Sequence, residues 1–262
     1  MPAALPSLSS CLPLVMGGSH WHARRSFQNI VVFGDSYSKL GESKTWVDHL
    51  RRRLLSDTDR PRVYNFAFPR ATAEDDLSDQ LARFVESVRV STRTKEDAIQ
   101  TRTPAALAPG GTTYFVFLGI NDCGTTESDE LDAIVEKIFD ALHELYVKAK
   151  ARNFVLFDVP PIDRSPQAIE SNSTQIIQER ITTWNSALQA QTTEFGSSST
   201  EATVLLFSPH RVLTDVLDDP VEYEFSEDDP SDEGGRIWVD DLHLTSEVHD
   251  LLAERLIAAV LG

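Results

Sequence analysis

The chain has 262 residues, 41% of them apolar, which is enough for one α/β domain with a sizeable core. Its 41 acids against 24 bases give a net charge of −17, which argues against nucleic acid, whose phosphates need a basic face, and against docking on anionic lipid. No apolar run approaches the roughly 20 residues that a membrane helix needs, so a soluble protein with no membrane contact is expected.

The N-terminal stretch reads as a disordered leader over residues 1–26, followed by one domain over 27–262. Leu5 to Met16 is mildly apolar, but no positive charge precedes it and Pro6 and Pro13 interrupt it. A cytoplasmic location is therefore expected, with secretion as the alternative. The single N-x-S/T triplet, Asn172-Ser173-Thr174, adds little to the secreted reading. Cys11 and Cys123 form neither a CxxC nor a zinc spacing, and two thiols are expected rather than a disulfide.

Five apolar runs bounded by turn signals read as strands: Asn29–Phe33, Val63–Phe68, Thr113–Leu118, Asn153–Asp158 and Thr203–Phe207. Their middles are nearly all apolar, as in VVF, YFVFL and FVLF, which is how strands covered by helices on both faces read. Helical spacing appears between them. Trp46, Leu50 and Leu54 recur every four residues, and Leu77, Leu81, Phe84 and Val88 follow Thr72 as a cap. Leu131, Ile134, Val135, Ile138, Leu142 and Leu145 form one stripe, and Ile177, Ile181, Trp184 and Leu188 another. The last helix carries Val248, Leu252, Leu256 and Val260 after Thr245. Strand–helix alternation predicts a single-domain α/β/α sandwich on a five-stranded parallel sheet, of flavodoxin-like type. Ligands then bind beyond the carboxyl ends of the strands. Ser91–Gly111 and Asp215–Glu233 interrupt the pattern as loops. The second holds ten acids and no base, so loose packing near the site's rim is expected of it.

Three motifs fall at that edge. The first strand runs into Gly34-Asp35-Ser36-Tyr37. A serine there is a nucleophile if a base takes its proton, and otherwise a cap at a strand–helix junction. The third strand ends in Gly119-Ile120-Asn121-Asp122, where an Asn amide faces a forming oxyanion or merely makes an Asx turn. Before the last helix lies Asp240-Asp241-Leu242-His243. A carboxylate three residues before a histidine reaches its Nδ1 and leaves Nε2 free to accept the serine proton, whereas a surface histidine at a helix entrance is the plainer reading.

GDS after strand one, GxND after strand three and DxxH before the last helix together resemble the SGNH/GDSL hydrolase family, from Phe27 to the end of the chain. The GDSY start, the Asn65-Phe66-Ala67-Phe68 segment and the block spacing are similar to the fungal members grouped with family 16 carbohydrate esterases, which are acetylesterases. The resemblance implies a serine esterase acting on short-chain, acetyl-type esters, acetylated sugars among them, with no metal and no cofactor and with a small-molecule ester as partner. It implies Ser36 as nucleophile, His243 as base and Asp240 as its partner, although Asp241 competes by position alone. It implies an oxyanion hole from the Ser36 and Arg70 backbone N–H groups and the Asn121 amide. The second block departs from the family pattern: Pro69-Arg70 stands where members carry glycines. Pro69 has no N–H to give, while Arg70 keeps one but disfavours positive φ. A weakened binding protein on the same fold is therefore the alternative reading. A flavin or phosphate binder is a second rival, and it would leave DxxH idle. No GxSxG elbow surrounds Ser36, which separates the chain from the α/β-hydrolases.

Overall fold

Residues with continuous apolar runs and β-branched side chains supply the centre of the structure. The computed structural model describes residues 11–56, 60–93 and 107–261. Among these, six strands form one sheet: β1 (Leu14–Met16), β2 (Asn29–Gly34), β3 (Arg62–Asn65), β4 (Thr112–Phe117), β5 (Asn153–Phe157) and β6 (Thr203–Phe207). The strand order is β1-β6-β5-β4-β2-β3. β2 to β6 are parallel to their neighbours, and β1 pairs antiparallel to β6. β4, β5 and β6 are buried along their whole length, as expected for strands covered on both faces.

The helices are α1 (Trp46–Leu54), α2 (Leu77–Arg93), α3 (Ile120–Thr125), α4 (Leu131–Lys148), α5 (Pro166–Glu170), α6 (Thr174–Ser198), α7 (Pro209–Asp218) and α8 (Ser246–Leu261). The chain steps outward from β2 to β3, then returns across β2 to β4. Right-handed crossovers in opposite directions put their helices on opposite faces. Hence α1 packs with α8 on one face, and α2, α4 and α6 pack on the other. The period-2 alternation of strand side chains feeds both layers. On one face Trp46 meets Phe157 at 4.7 Å between ring centroids, and Phe157 meets Phe117 at 4.9 Å. On the other, Phe84 of α2 lies edge-on to Phe33 and Tyr114, and Phe154 meets Phe195 of α6.

The sheet has six strands rather than five, and residues 11–26 are not a disordered leader. Cys11 is buried, and its carbonyl accepts the Ser208 N–H at 2.9 Å. Leu12, Leu14 and Met16 turn inward while Pro13 and Val15 face out, the alternation of an edge strand, where a proline is tolerated. Ala23–Phe27 then makes a 3-10 turn into β2. Met1–Ser10 lies outside the described residues. Cys11 and Cys123 are both buried, and no disulfide joins them. The expected loop at Ser91–Gly111 is helical as far as Arg93 and makes a 3-10 turn at Pro109–Gly111, with 94–106 outside the described residues.

The acidic stretch Asp215–Glu233 also differs from expectation, because it is packed. It begins within α7 and continues through 3-10 turns at Pro220–Tyr223 and Asp229–Ser231. Phe225 is buried under the Arg236 guanidinium, and the buried Asp229 carboxylate accepts the N–H groups of Ser226 and Arg236. Internal N–H donors satisfy a carboxylate that composition alone assigns to solvent.

The edge strand depends on a close approach at Gly18, whose N–H donates to Thr203 Oγ1 at 2.9 Å. A Cβ there would sit 2.5 Å from the backbone carbonyl carbon of Ala202. Gly18→Ala should therefore loosen β1 from β6 and cost about 1–3 kcal/mol, a few degrees or more of Tm for a domain of this size. Thermal melting checks this, and an unchanged Tm would show that β1 contributes nothing.

Candidate active site

β2 and β4 flank the point at which the chain reverses its direction across the sheet. Loops leaving their carboxyl ends diverge there and leave a crevice. Ser36 follows β2 and Asn121 lies in α3 just after β4. Ser36, Arg70, Asn121 and His243 all line one cleft of about 1030 Å³. The remaining walls come from α5, the start of α6 and Ile162, and no residue of 215–233 lines it. The acidic stretch is therefore not at the rim of this cleft.

Ser36 sits on a turn fixed from several sides. The Asp35 carbonyl accepts the Ser38 N–H at 3.1 Å, and the Ser38 carbonyl accepts Asn65 Nδ2 at 2.8 Å and Thr45 Oγ1 at 3.2 Å. Ser38 Oγ accepts the Trp46 indole N–H. Gly34 is required sterically, since a Cβ there would lie 2.6 Å from Ser38 Oγ and 3.0 Å from the Phe117 carbonyl. Gln80 of α2 is fully buried and clamps both ends of the Gly34 residue, accepting its N–H and donating to its carbonyl at 2.9 Å each. Sequence reading missed Gln80. The only signal was an amide amid the apolar stripe of Leu77, Leu81 and Phe84.

His243 reaches Ser36 from the far end of the chain. Its Nε2 lies 3.0 Å from Ser36 Oγ, and its Nδ1 lies 2.8 Å from Asp240 Oδ2. A carboxylate only accepts, so Nδ1 carries the proton and Nε2 presents its lone pair to the serine hydroxyl. Burial pushes the Asp240 carboxyl up. Hydrogen bonds from the His243 and Leu242 backbone N–H groups and from the imidazole outweigh that and hold it below the usual carboxylate range. Asp241 points elsewhere: its carboxylate accepts Gln167 Nε2, and its carbonyl accepts the Gln167 N–H. Tyr37, fully buried, donates its hydroxyl to the Leu242 carbonyl at 2.7 Å and so ties the loop that carries His243 to the residue after Ser36.

Asn121 donates one amide N–H to the Ala71 carbonyl at 2.9 Å, which leaves the second for the cleft. Gly119 before it is left-handed (φ 118) and packs against Trp184, where a Cβ would come within 2.4 Å of the ring. Arg70 is held at φ 68, the left-handed region, which costs a non-glycine residue roughly 1–2 kcal/mol. The neighbouring backbone enforces it: Ala71 N–H bonds to the Phe68 carbonyl, and Ala73 and Glu74 N–H groups bond to the buried Asp122 carboxylate.

Below the turn, two buried acids lie close together. Burial pushes the Asp35 carboxyl up to about 8, against the Tyr37 N–H bond and with the help of the Asp122 charge. Burial likewise raises Asp122 to about 6 and Asp158, which accepts from Ser208 and His210, to about 7. The folded protein therefore holds protons that the unfolded chain releases near 3.8, and stability falls as pH rises from there through these folded values. Asp35→Asn removes the highest of the three titrations. The drop in Tm between pH 5 and pH 8 should shrink in that variant, and an equal drop in variant and parent would show that Asp35 does not contribute to it.

Residues 30–256 match the GDSL-like Lipase/Acylhydrolase family. An acetylesterase of Thermothelomyces thermophilus is 26% identical over 283 aligned positions, spanning 90% of this chain and 89% of that protein. Among solved structures, the esterase EstA of Pseudoalteromonas sp. superposes with a TM-score of 0.52 at 15% identity, covering 89% of this chain and 96% of EstA. Est24 of Sinorhizobium meliloti, a carbohydrate acetylesterase, gives 0.52 at 13% identity, covering 88% and 96%. With a matching family pattern over most of its length and the shared sandwich fold, the chain belongs to the GDSL-like lipase/acylhydrolase family of SGNH fold and is a carboxylic ester hydrolase.

Proposed function

We propose that the protein hydrolyses short-chain, acetyl-type esters, including acetylated sugars, through an acyl-enzyme on Ser36. The observation that carries this reading is the hydrogen-bonded line from Asp240 through His243 to Ser36, with 2.8 and 3.0 Å contacts, opening on the cleft. Ser36 Oγ attacks the ester carbonyl carbon while His243 Nε2 takes its proton. The tetrahedral oxyanion is held by the second Asn121 amide N–H and the backbone N–H groups of Ser36 and Arg70. The imidazolium, steadied by Asp240, then protonates the leaving alkoxide, and the neutral imidazole activates a water that releases the acid. The acetyl preference draws on the Thermothelomyces relative and on Est24.

Ser36→Ala should abolish ester turnover with Tm nearly unchanged, and His243→Ala should cost about as much, since the two act as a unit. Asp240→Asn should lose less than either. Asn121→Ala should lower kcat by roughly 10²–10³ with little change in KM, because an oxyanion donor acts mainly in the transition state. Steady-state kinetics on a p-nitrophenyl ester chain-length series, run beside acetylated xylo-oligosaccharides, checks these together with the acyl preference. Wild-type-like turnover by a clean Ser36→Ala preparation refutes the mechanism, and a maximum at long acyl chains refutes the acetyl preference.

Tyr37→Phe keeps the ring and deletes the hydroxyl that holds the Leu242 carbonyl. Its kcat should fall roughly tenfold with KM little changed, because misplacing a catalytic group by a fraction of an ångström is costly. Equal kcat in the variant and the parent would show that the tie is dispensable for aiming His243.

A further inference from the structure

The cleft lining reverses the charge balance of the chain. Its ionisable side chains are Arg70, Arg180, Asp241 and His243, whereas the whole sequence has 41 acids and 24 bases. Asp241 already accepts from Gln167. Arg180 is buried, donates to the carbonyls of Cys123 and Gly124, and pairs with the exposed Glu127 at 3.0 Å. Arg70 differs: it is exposed and makes no side-chain hydrogen bond or ion pair among the described residues. Arg24, Arg25, Arg51, Arg60 and Arg62 also lack a carboxylate partner among the described residues, but none of them lines this cleft, and Arg70 does. Its backbone is also fixed by the left-handed turn, so the side chain leaves from a defined point on the cleft wall.

We propose that Arg70 forms a subsite for an anionic group, and that the enzyme favours esters that carry a carboxylate over neutral esters of the same reactive group. The proposal rests on the Ser36 esterase reading and adds a substrate class to it. A guanidinium presents a planar fork that matches a carboxylate with two parallel hydrogen bonds. Acids farther away than a Debye length of about 8 Å are screened at ordinary salt, so the local opposition comes from Asp241 of the lining and from Asp76, which accepts the Thr72 N–H two residues after Arg70. The densest acidic segment, 215–233, contributes nothing to the lining. Arg70 is thus the arginine of the lining whose charge no carboxylate offsets, since Arg180 is paired with Glu127.

The test compares 4-nitrophenyl acetate with the mono-4-nitrophenyl ester of glutaric acid in the parent, Arg70→Lys and Arg70→Gln. The readout is the ratio of kcat/KM, anionic to neutral, at low and high salt. Both substitutions keep a side chain on the left-handed residue, and any change in the oxyanion donor affects both esters alike and cancels in the ratio. The ratio should fall roughly two- to fivefold in Arg70→Gln, as for the loss of one exposed charge-assisted contact, and less in Arg70→Lys. The difference in ratio between the parent and Arg70→Gln should shrink at high salt, because screening weakens the Arg70 contribution. Equal ratios in the parent and Arg70→Gln overturn the subsite. So does a loss in Arg70→Lys as large as that in Arg70→Gln, since charge would not be the cause. A parent that cleaves neither ester fails the esterase reading itself, which is a different result from cleavage of both with no dependence on Arg70.

Discussion

The site depends on one tie between two distant pieces of chain. Ser36 and Tyr37 follow β2 near the start, while Leu242 and His243 lie 205 to 207 residues later. Two adjacent hydrogen bonds join them, Tyr37 Oη to the Leu242 carbonyl and His243 Nε2 to Ser36 Oγ. The first is buried at one end and satisfies a backbone carbonyl in a loop with no sheet to pair with. The second lies beside the first, and the Val239 N–H bond to the His243 carbonyl helps to hold the same loop. A hydroxyl and an imidazole on separate flexible loops would have to lose their conformational freedom at every encounter. Here that ordering is completed on folding, because Tyr37 packs edge-on to Phe117 and to the buried His249 of α8.

Beneath that tie, polar side chains replace the sheet hydrogen bonds that end with the strands. Gln80 acts on Gly34 as a neighbouring strand would, and the Asp122 carboxylate collects the Ala73 and Glu74 N–H groups as a helix cap does. Such groups are buried and nearly all paired, as interior polar atoms must be. Asp35 departs from this: one carboxyl oxygen takes the Tyr37 N–H and the other has no partner among the described residues. A neutral acid tolerates that environment far better than a carboxylate, which is why burial sets its titration so high.

The parts of this architecture that follow from periodicity were legible. Val31, Phe115 and Val155 lie in runs too apolar for a half-exposed strand, and each run became a buried parallel strand. The short edge strand was not legible, because three residues beside Pro13 are too few to show a period, and the sheet edge that accepts them is a tertiary fact. Ser36, Asn121, Asp240 and His243 could be picked out since each follows or precedes a recognisable element, and the structure brings all but Asp240 onto the cleft lining, with Asp240 behind His243. Position alone left Asp240 and Asp241 open and the family resemblance favoured Asp240; in the structure Asp240 contacts His243 while Gln167 of α5 takes up Asp241. Gln80 and Tyr37 were invisible as positioning groups because nothing in a single sequence reports what a buried amide or phenol touches across the fold.

Arg70 shows how a backbone requirement and a side-chain requirement can be met separately at one position. The turn after β3 must become left-handed for the chain to run from Phe68 back over the end of β2 and on to Ala73, where Asp122 captures it. Glycine meets that demand without strain, and any other residue adopts it only because its neighbours leave no alternative. The Ala71 N–H bond to Phe68 and the bonds to Asp122 are those neighbours, so the conformation is set by the fold and not by residue 70 itself. Once the backbone is fixed from outside, the identity of the side chain is free to answer to the cleft. The strain is then a local cost spread over a well-packed turn, and what it secures is a cation on the wall of a cleft in a strongly acidic protein.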